Sequence, residues 1–208
     1  MTLEVVSNES KVKEDSINKC LEELNVNLHE VYYYTVETES GLFAKKKYTT
    51  YMTTKYAVKT FVKDFLTELA KNMNTAFNIE VKESEEIVSA IIVTDNNAVL
   101  IGKDGNTLSA IQTVLRQAIR NYGNFGIKVN LDVAGYKAKR ERNIIYEVKK
   151  IAREVMKTHV DAKLDPMNSY ERRIVHTALA DFKNIETQSD GEEPNRYTVI
   201  KYKESEQD

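Results

Sequence analysis

The 208-residue chain has no tryptophan, two prolines, seven glycines and a single cysteine, Cys20. One thiol excludes an internal disulfide, and with only three histidines the chain is too poor in Cys and His for the usual zinc sites. No segment approaches the roughly 18 consecutive apolar residues of a membrane helix, and the start lacks the basic and apolar segments of a signal peptide. We therefore expect a cytoplasmic protein with no metal, no cofactor and no membrane span.

The formal net charge of -2 conceals an uneven distribution of charge along the chain. Residues 1–40 carry nine acidic side chains and three lysines, whereas residues 41–63 carry six lysines and no acid. Residues 135–157 carry eight basic and three acidic side chains. Either basic run alone is most simply a solvated helix or strand face. Composition therefore permits nucleic-acid binding without establishing it.

The length favours two or three small modules over one large catalytic core. With 41% hydrophobic and 30% charged residues the chain is typical of folded proteins. The order of helical and strand-like segments predicts an α+β protein with a β-α-β-β module over residues 1–54. It further predicts an α-β-β-α-α-β module over residues 55–134 and a small α/β module over residues 135–203, followed by a charged tail, residues 204–208.

Apolar residues recur at helical spacing in three long segments. The first stripe holds Val58, Phe61, Val62, Phe65, Leu69 and Met73. The second includes Leu108, Val114 and Leu115, and we expect Asn106 or Thr107 to cap its helix. The third runs from Ile144 to Val155 along a basic helix. A further helix is expected over residues 170–182, because Pro166 prevents an uninterrupted helix before it.

Runs rich in Val, Ile, Tyr and Thr indicate strands between these helices. They are expected at residues 3–7, 31–36, 48–54, 77–81, 87–94, 127–133 and 196–202.

The motif Gly102-Lys103-Asp104-Gly105 lies between two helical segments. Two glycines around a cation allow a phosphodiester to approach the backbone, and the N-terminus of the following helix attracts anions. Neighbouring apolar side chains are expected to accept unstacked bases: Ala98, Ile101 and Leu108. The motif alone fits an ordinary tight turn between two helices better than a binding site. The surrounding order of elements favours the binding interpretation.

With that loop, residues 55–134 resemble a KH domain of the bacterial, type II topology. In such domains the G-x-x-G loop clamps about four nucleotides of single-stranded RNA. The resemblance implies that Gly102, Lys103, Asp104 and Gly105 form the RNA-binding loop. Asp104 departs from an ideal site, since it places an acid beside the expected phosphate path.

A second candidate site is formed by Arg172 and His176, which share one helical face at i and i+4. A guanidinium and an imidazole so placed can hold a phosphate, with Arg196 as a third cation. A buried, neutral, structural His176 is the alternative. The flanking residues, 164–171 and 191–196, resemble the small domain that is named for its Arg-x-x-x-His signature and binds single-stranded nucleic acid.

The three modules in this order resemble the bacterial Jag family, also called KhpB or SpoIIIJ-associated protein. At the N-terminus, residues 40–46 approximate the family's turn rich in Lys, Gly and Phe. The resemblance implies a non-catalytic protein that binds single-stranded RNA and influences cell elongation, division and envelope synthesis. It also implies a small KH partner, KhpA, or self-association.

The sequence leaves two other functions open. A nuclease could use His176 as a general base, although the sequence has no paired carboxylates, nucleophile motif or Walker loop to accompany it. An adaptor or chaperone-like factor for the membrane-insertion machinery is the second alternative, and it is compatible with RNA binding. The RNA targets, the role of the N-terminal module and the use of both sites by one strand are also open.

Overall fold

The computed structural model describes residues 1–40, 45–84 and 86–204. The chain forms two compact units, Met1–Gly135 and Tyr136–Asp208. The expected division into modules at residues 54, 134 and 203 stays a prediction. In the described residues, no helix is long and apolar enough to cross a membrane.

The first unit begins with a small antiparallel sheet covered on one face by a helix. Its elements are β1 (Val6–Ser10), α1 (Lys13–Leu24), β2 (Val31–Ser40) and β3 (Lys45–Thr54), and the strand order is β1-β3-β2. Cys20 of α1 and Met52 of β3 are fully buried in the core between helix and sheet. The hydroxyls of Ser16 and Thr50 are hydrogen-bonded at 2.7 Å and tie the helix to the central strand. The β-α-β-β order agrees with the sequence analysis.

The first strand lies three residues later than the sequence predicted. The apolar residues around Leu3 suggested a strand over residues 3–7, but the paired segment is Val6–Ser10, whose sequence is mostly polar. It pairs with β3 from Val6, opposite Met52, to Ser10, opposite Tyr48. Pairing with a central strand has overridden a weak local preference for strand. The predicted turn at residues 40–46 falls largely on residues 41–44, which are outside the described residues.

The other face of this sheet carries tyrosines that contact the rest of the first unit. Tyr34 and Tyr51 stack with ring centroids 5.0 Å apart, and Phe125 meets Tyr34 edge-on at 5.2 Å. A Cβ on Gly123 would lie 2.9 Å from the Tyr34 ring, so the absence of a side chain at residue 123 permits this approach. The N-terminal sheet is therefore packed onto the loop that contains Gly123 and Phe125.

The remainder of the first unit has the predicted α-β-β-α-α-β order. Its elements are α2 (Lys55–Asn72), β4 (Asn78–Ser84), β5 (Ile87–Val93), α3 (Asn97–Ile101), α4 (Asn106–Arg120) and β6 (Lys128–Val133). The sheet order is β4-β5-β6, with β4 and β5 antiparallel and β5 and β6 parallel. Alternate residues of β5 and β6 are buried beneath the helices. These residues and the helices share one core, which includes Val58, Phe61, Leu66, Ile92, Leu115 and Leu131.

Three details of these helices differ from the sequence predictions. On α2 the stripe shifts after Val62, so that Leu66 and Ala70 are buried where Leu69 and Met73 had been expected. Val114 on α4 is 58% exposed. The prediction that Asn106 or Thr107 caps α4 is wrong, because the cap is Gly105 and Asn106 is already helical. A left-handed conformation at residue 105 ends the preceding turn and favours glycine.

The second unit packs two helices on a three-stranded antiparallel sheet. Its elements are α5 (Tyr136–Thr158), β7 (Ala162–Lys163), α6 (Ser169–Leu179), β8 (Ile185–Asp190) and β9 (Tyr197–Tyr202), with strand order β7-β9-β8. Its core contains Ile144, Val148, Ala152, Val155, Ile174, Val175, Leu179 and Ile200. The helix expected over residues 170–182 ends three residues earlier. Strands β7 and β8 were not predicted.

The start of α6 is fixed by a capping box. The side chain of Asn168 accepts a hydrogen bond from the Glu171 N–H at 3.0 Å, and Glu171 Oε2 accepts one from the Asn168 N–H at 3.3 Å. Arg140 Nε donates to the other carboxylate oxygen of Glu171 at 2.8 Å. This network holds the helix that carries Arg172 and His176.

Candidate nucleic-acid interface

The glycine loop is a tight turn between α3 and α4. Gly102 ends α3 at φ 71° and ψ -178°, and its N–H donates to the Ala98 carbonyl at 2.8 Å. Lys103, Asp104 and Gly105 form a single 3-10 turn in which Asp104 and Gly105 have φ values of 51° and 79°. Since glycine caps α4, no side chain at the cap competes for the first N–H groups of the helix.

Gly102 is required on steric as well as conformational grounds. Its φ and ψ fall in a region that is essentially restricted to glycine. A Cβ at this position would lie 2.8 Å from Thr107 Cβ and 2.9 Å from the Thr107 backbone nitrogen. The backbone of the loop therefore packs directly on the first turn of α4, and this contact sets the position of the turn.

The side chains of the loop differ in exposure. Lys103 and Asp104 are exposed, and Lys103 has no ion-pair partner in the described part of the chain. Among the apolar candidates, Ala98 is exposed and Ile101 is half-buried. Leu108 is only 2% exposed, so it belongs to the core and offers a base almost no surface. The loop thus presents a cation beside a small apolar patch.

Lys46 and Lys47 of the basic run do not form a free basic surface. Lys46 Nζ lies 2.7 Å from Glu37 Oε1, and Lys47 Nζ lies 2.7 Å from Glu9 Oε1. Both partners come from the acidic N-terminal segment, which the sheet brings next to the lysines. The solvated-face interpretation therefore describes Lys46 and Lys47 better than a nucleic-acid interpretation.

His176 links α6 to β8 through both ring nitrogens. Nδ1 lies 2.6 Å from Thr187 Oγ1, and Nε2 lies 3.1 Å from Ser189 Oγ. A neutral imidazole satisfies both hydroxyls, since each hydroxyl can donate or accept. Burial, and secondarily the charge of Arg172, lowers the pKa of His176 below its ordinary 6.5. The ring is half-buried and is neutral at physiological pH.

Arg172 shares this helix face but is buried, with only 8% of its side chain exposed. Nη1 donates to the Met167 carbonyl at 2.7 Å, and Nη2 donates to Glu193 Oε1 at 2.9 Å. The guanidinium therefore ties the N-terminus of α6 to the loop between β8 and β9. A phosphate could reach Arg172 only by replacing or joining the carboxylate of Glu193.

Arg196, the third predicted cation, is half-buried just before β9. Its Nε is buried and has no hydrogen-bond partner among the described residues. An unmatched guanidinium N–H of this kind is costly unless a ligand or solvent satisfies it.

The hydrogen-bond and ion-pair partners of these residues could not be predicted from the sequence. Thr187 and Ser189 are two apart and so lie on one face of β8, which is the only signal that the sequence offered. Glu193 lies 21 residues from Arg172, and no periodic pattern connects them. Among the described residues, no group of three or more His, Cys, Asp or Glu side chains could hold a metal ion.

Comparison with known proteins places these features in a family. The family model described as "KhpA/KhpB, KH domain" matches residues 59–133, and the model of the Arg-x-x-x-His (R-3-H) domain matches residues 142–202. RNA-binding protein KhpB of Clostridium symbiosum is 32% identical over 206 residues, which cover 97% of this chain and 93% of that protein. The chain belongs to the KhpB family.

Other KhpB proteins show the same relationship. RNA-binding protein KhpB of Bacillus subtilis (strain 168) is 31% identical over 196 residues, or 91% of this chain and 94% of that protein. RNA-binding protein KhpB of Streptococcus pneumoniae serotype 2 is 25% identical over 143 residues, which cover 69% of this chain and 44% of that protein. The family assignment and the α+β fold class made from the sequence are thereby confirmed.

The two matched segments contain the two candidate sites. The KH segment includes the glycine loop, and the Arg-x-x-x-His segment, residues 142–202, includes Arg172, His176 and Arg196. The roles of the individual residues stay predictions.

Proposed function

We propose that this KhpB-family chain binds single-stranded RNA without catalysing a reaction, and that the glycine loop is its principal contact. The observation that carries the proposal is the turn at residues 102–105. Its glycine backbone packs against the first turn of α4, and the exposed Lys103 has no competing ion pair among the described residues. A phosphate at this turn would meet a cation and the N-terminus of a 15-residue helix.

The family relatives support the same chemistry, since they carry the name RNA-binding protein KhpB. The loop favours a single strand because the apolar surface beside it, Ala98 and Ile101, suits bases that are not stacked in a duplex. We infer that Asp104 moderates the affinity, since an exposed carboxylate beside the phosphate path repels the ligand.

The Arg-x-x-x-His segment supplies the second part of the proposal. Arg172 would contact a phosphate after exchange with Glu193, and the unmatched Nε of Arg196 would be satisfied by the same ligand. His176 would contribute its charge only below its lowered pKa. Arg172 can make its contact only after it exchanges Glu193 for the phosphate, and His176 only after it is protonated. For this reason we place the principal contact at the glycine loop.

The biological role and partner follow from family membership as further proposals. We propose a cytoplasmic post-transcriptional regulator that affects cell elongation, division and envelope synthesis, and that pairs with KhpA or with itself. The match to a family model shared by KhpA and KhpB supports a KH partner.

Direct binding tests the proposed function. A fluorescent 12-nucleotide single strand should bind more tightly than the same sequence in a duplex. The logarithm of the binding constant should fall with the logarithm of salt concentration by about 0.7 for each phosphate contacted. The RNA should be recovered intact after prolonged incubation. Equal affinity for strand and duplex, or cleavage of the RNA, would contradict the proposal.

A further inference from the structure

A cleft of about 260 Å³ lies between α5 and α6, away from the partners of Arg172 and His176. One stripe of α5, Glu141, Ile145 and Lys149, forms one wall at intervals of four residues. The other wall is α6, where Tyr170, Arg173 and Thr177 line the cleft. His176 and Arg172 contact β8 and the loop after it, so the cleft is a separate feature of the same helix.

The lining of the cleft carries more positive than negative charge. Arg173 is exposed and Lys149 is half-buried, and neither has an ion-pair partner among the residues described. Two other arginines of this unit are engaged, since Arg140 pairs with Glu171 and Arg172 with Glu193. The one acid in the cleft, Glu141, accepts a hydrogen bond from the Tyr170 hydroxyl at 3.2 Å. Two cations and one acid leave the lining net positive.

The cleft also offers an aromatic ring above an apolar floor. Tyr170 is 59% exposed, although it stands beside Ile174, which is 8% exposed, and the half-buried Ile145. Such a ring gives a base a flat surface for stacking, while the cations remain available to the backbone. At about 260 Å³ the cleft is smaller than the roughly 300–1,000 Å³ of most small-molecule sites. It suits one base of a longer strand better than a whole cofactor.

We propose that the α5–α6 cleft is a nucleotide subsite for single-stranded RNA. A base stacks on Tyr170 over the apolar floor, and Arg173 and Lys149 contact the adjoining phosphates. The inference rests on the proposed RNA binding, and it adds a contact surface outside both the glycine loop and the Arg172–His176 face. A protein side chain is the competing occupant. However, two cations that form no ion pair within the described residues lie beside an exposed ring, and this arrangement favours a polyanion that carries bases.

The first experiment measures the affinity of the full chain for a fluorescent 12-nucleotide oligoadenylate and for an abasic 12-mer with the same backbone. Tyr170→Ala should weaken oligoadenylate binding at least fivefold and leave abasic binding unchanged, whereas Tyr170→Phe should retain most of the affinity. Tyr56→Ala is the matched control, because Tyr56 is 78% exposed on a helix of the other unit. Arg173→Gln should weaken binding of both strands, and by more than Arg153→Gln, which changes an exposed arginine that does not line the cleft.

The second experiment uses the absence of tryptophan from the chain. Tyr170→Trp introduces a single indole, whose fluorescence should be quenched by oligoadenylate and not by the abasic strand. Tyr146→Trp, at a 73% exposed position outside the cleft, should be quenched by neither. Thermal midpoints of all variants show that they remain folded.

The outcomes separate this inference from the proposed function. If the wild type binds oligoadenylate while Tyr170→Ala binds equally well and the indole signal is unchanged, the subsite is wrong and the RNA-binding proposal stands. A protein occupant of the cleft would give that same pattern. If the wild type binds neither strand, the proposed function and the subsite both fail.

Discussion

Arg172 donates to Glu193 Oε1 at 2.9 Å, although the arginine side chain is 8% exposed and the glutamate 61% exposed. The buried cation is thus held by an acid that solvent can reach. A phosphate oxygen could occupy the place of the carboxylate, since both form short charge-assisted bonds with a guanidinium. Glu193 therefore competes with RNA if Arg172 is a phosphate ligand.

Replacing Glu193 by glutamine should separate the structural and binding roles of Arg172. Glu193→Gln keeps a carbonyl acceptor for the buried guanidinium, so the free energy of unfolding should fall by about 1–3 kcal/mol, which is less than the loss when a buried charge is left with no partner. RNA affinity should rise, because the competing charge is gone. Glu192→Gln removes an equal charge from the exposed neighbouring residue and is the control. Equal affinities of the two variants in fluorescence anisotropy would make Arg172 a structural residue only.

The stability of the second unit should depend on pH through His176. Burial and the charge of Arg172 lower its pKa in the folded state, whereas the unfolded state keeps the ordinary value of 6.5. The unfolded chain therefore binds more protons below pH 6.5, and the free energy of unfolding falls as pH falls through that value toward the folded pKa. Above pH 6.5 the full stability is present. Urea unfolding between pH 5 and 8 measures this pH dependence of the free energy of unfolding.

One variant isolates this effect from other titrating groups. In His176→Gln the amide can form hydrogen bonds with Thr187 and Ser189 but does not titrate. The free energy of unfolding of this variant should therefore fall less steeply below pH 6.5 than that of the wild type. Identical curves for this variant and the wild type would show that the folded environment does not perturb His176.

RNA binding should respond to the same titration. A charged imidazole favours phosphate, and the lowered pKa moves its charging below pH 6.5. We therefore expect affinity to strengthen only in acidic buffer, and this part of the change should be missing in His176→Gln. An affinity that rises equally in both proteins would exclude His176 as a phosphate contact.

Gly102→Ala should destabilise the first unit and weaken RNA binding. The backbone conformation costs a non-glycine residue about 1–3 kcal/mol, and the new methyl group collides with Thr107. Gly126→Ala is a matched control, since Gly126 also has a φ of 71° but open space around the missing Cβ. Thermal unfolding should show the larger loss for Gly102→Ala. Equal losses would mean that the contact with Thr107 does not set the position of the loop.

The helices could be predicted because their apolar spacing is long and regular. The apolar stripes on α2, α4 and α5 each extend over at least three turns, so the prediction of a helix in each segment did not depend on any single residue. Individual positions were less certain, as Val114 shows: it fits the period of α4 but lies at the edge of the buried face and is exposed.

Strands of polar sequence could not be predicted in the same way. Strand β8 reads Ile-Glu-Thr-Gln-Ser-Asp and has little intrinsic preference for β structure. It forms because it pairs with β9, with Thr187 opposite Ile200. The same holds for β1, whose pairing with β3 moved it three residues from its expected place.

The positions of the candidate sites could be predicted from the sequence, but the burial and the hydrogen bonds of their side chains could not. The spacing of Arg172 and His176 correctly placed both on α6, and the loop at residues 102–105 lies between two helices as expected. Burial of Leu108 and the bonds of Arg172 and His176 depend on elements that are distant in sequence. Tyr170, Arg173 and Lys149 were likewise brought together only by the packing of α6 on α5.

The proposed RNA contact at the glycine loop is tested by the RNA affinity of Lys103→Asp. The change leaves both glycines and the loop length intact, and at an exposed turn it should alter stability by no more than about 0.5 kcal/mol. Lys183→Asp, at another exposed turn lysine, controls for the change in net charge. We predict a loss of at least tenfold in affinity for a single-stranded 12-mer with Lys103→Asp, a salt slope smaller by about 0.7, and a small effect with Lys183→Asp. Equal affinities of Lys103→Asp and the wild type would contradict the account and leave the glycine loop as a structural turn.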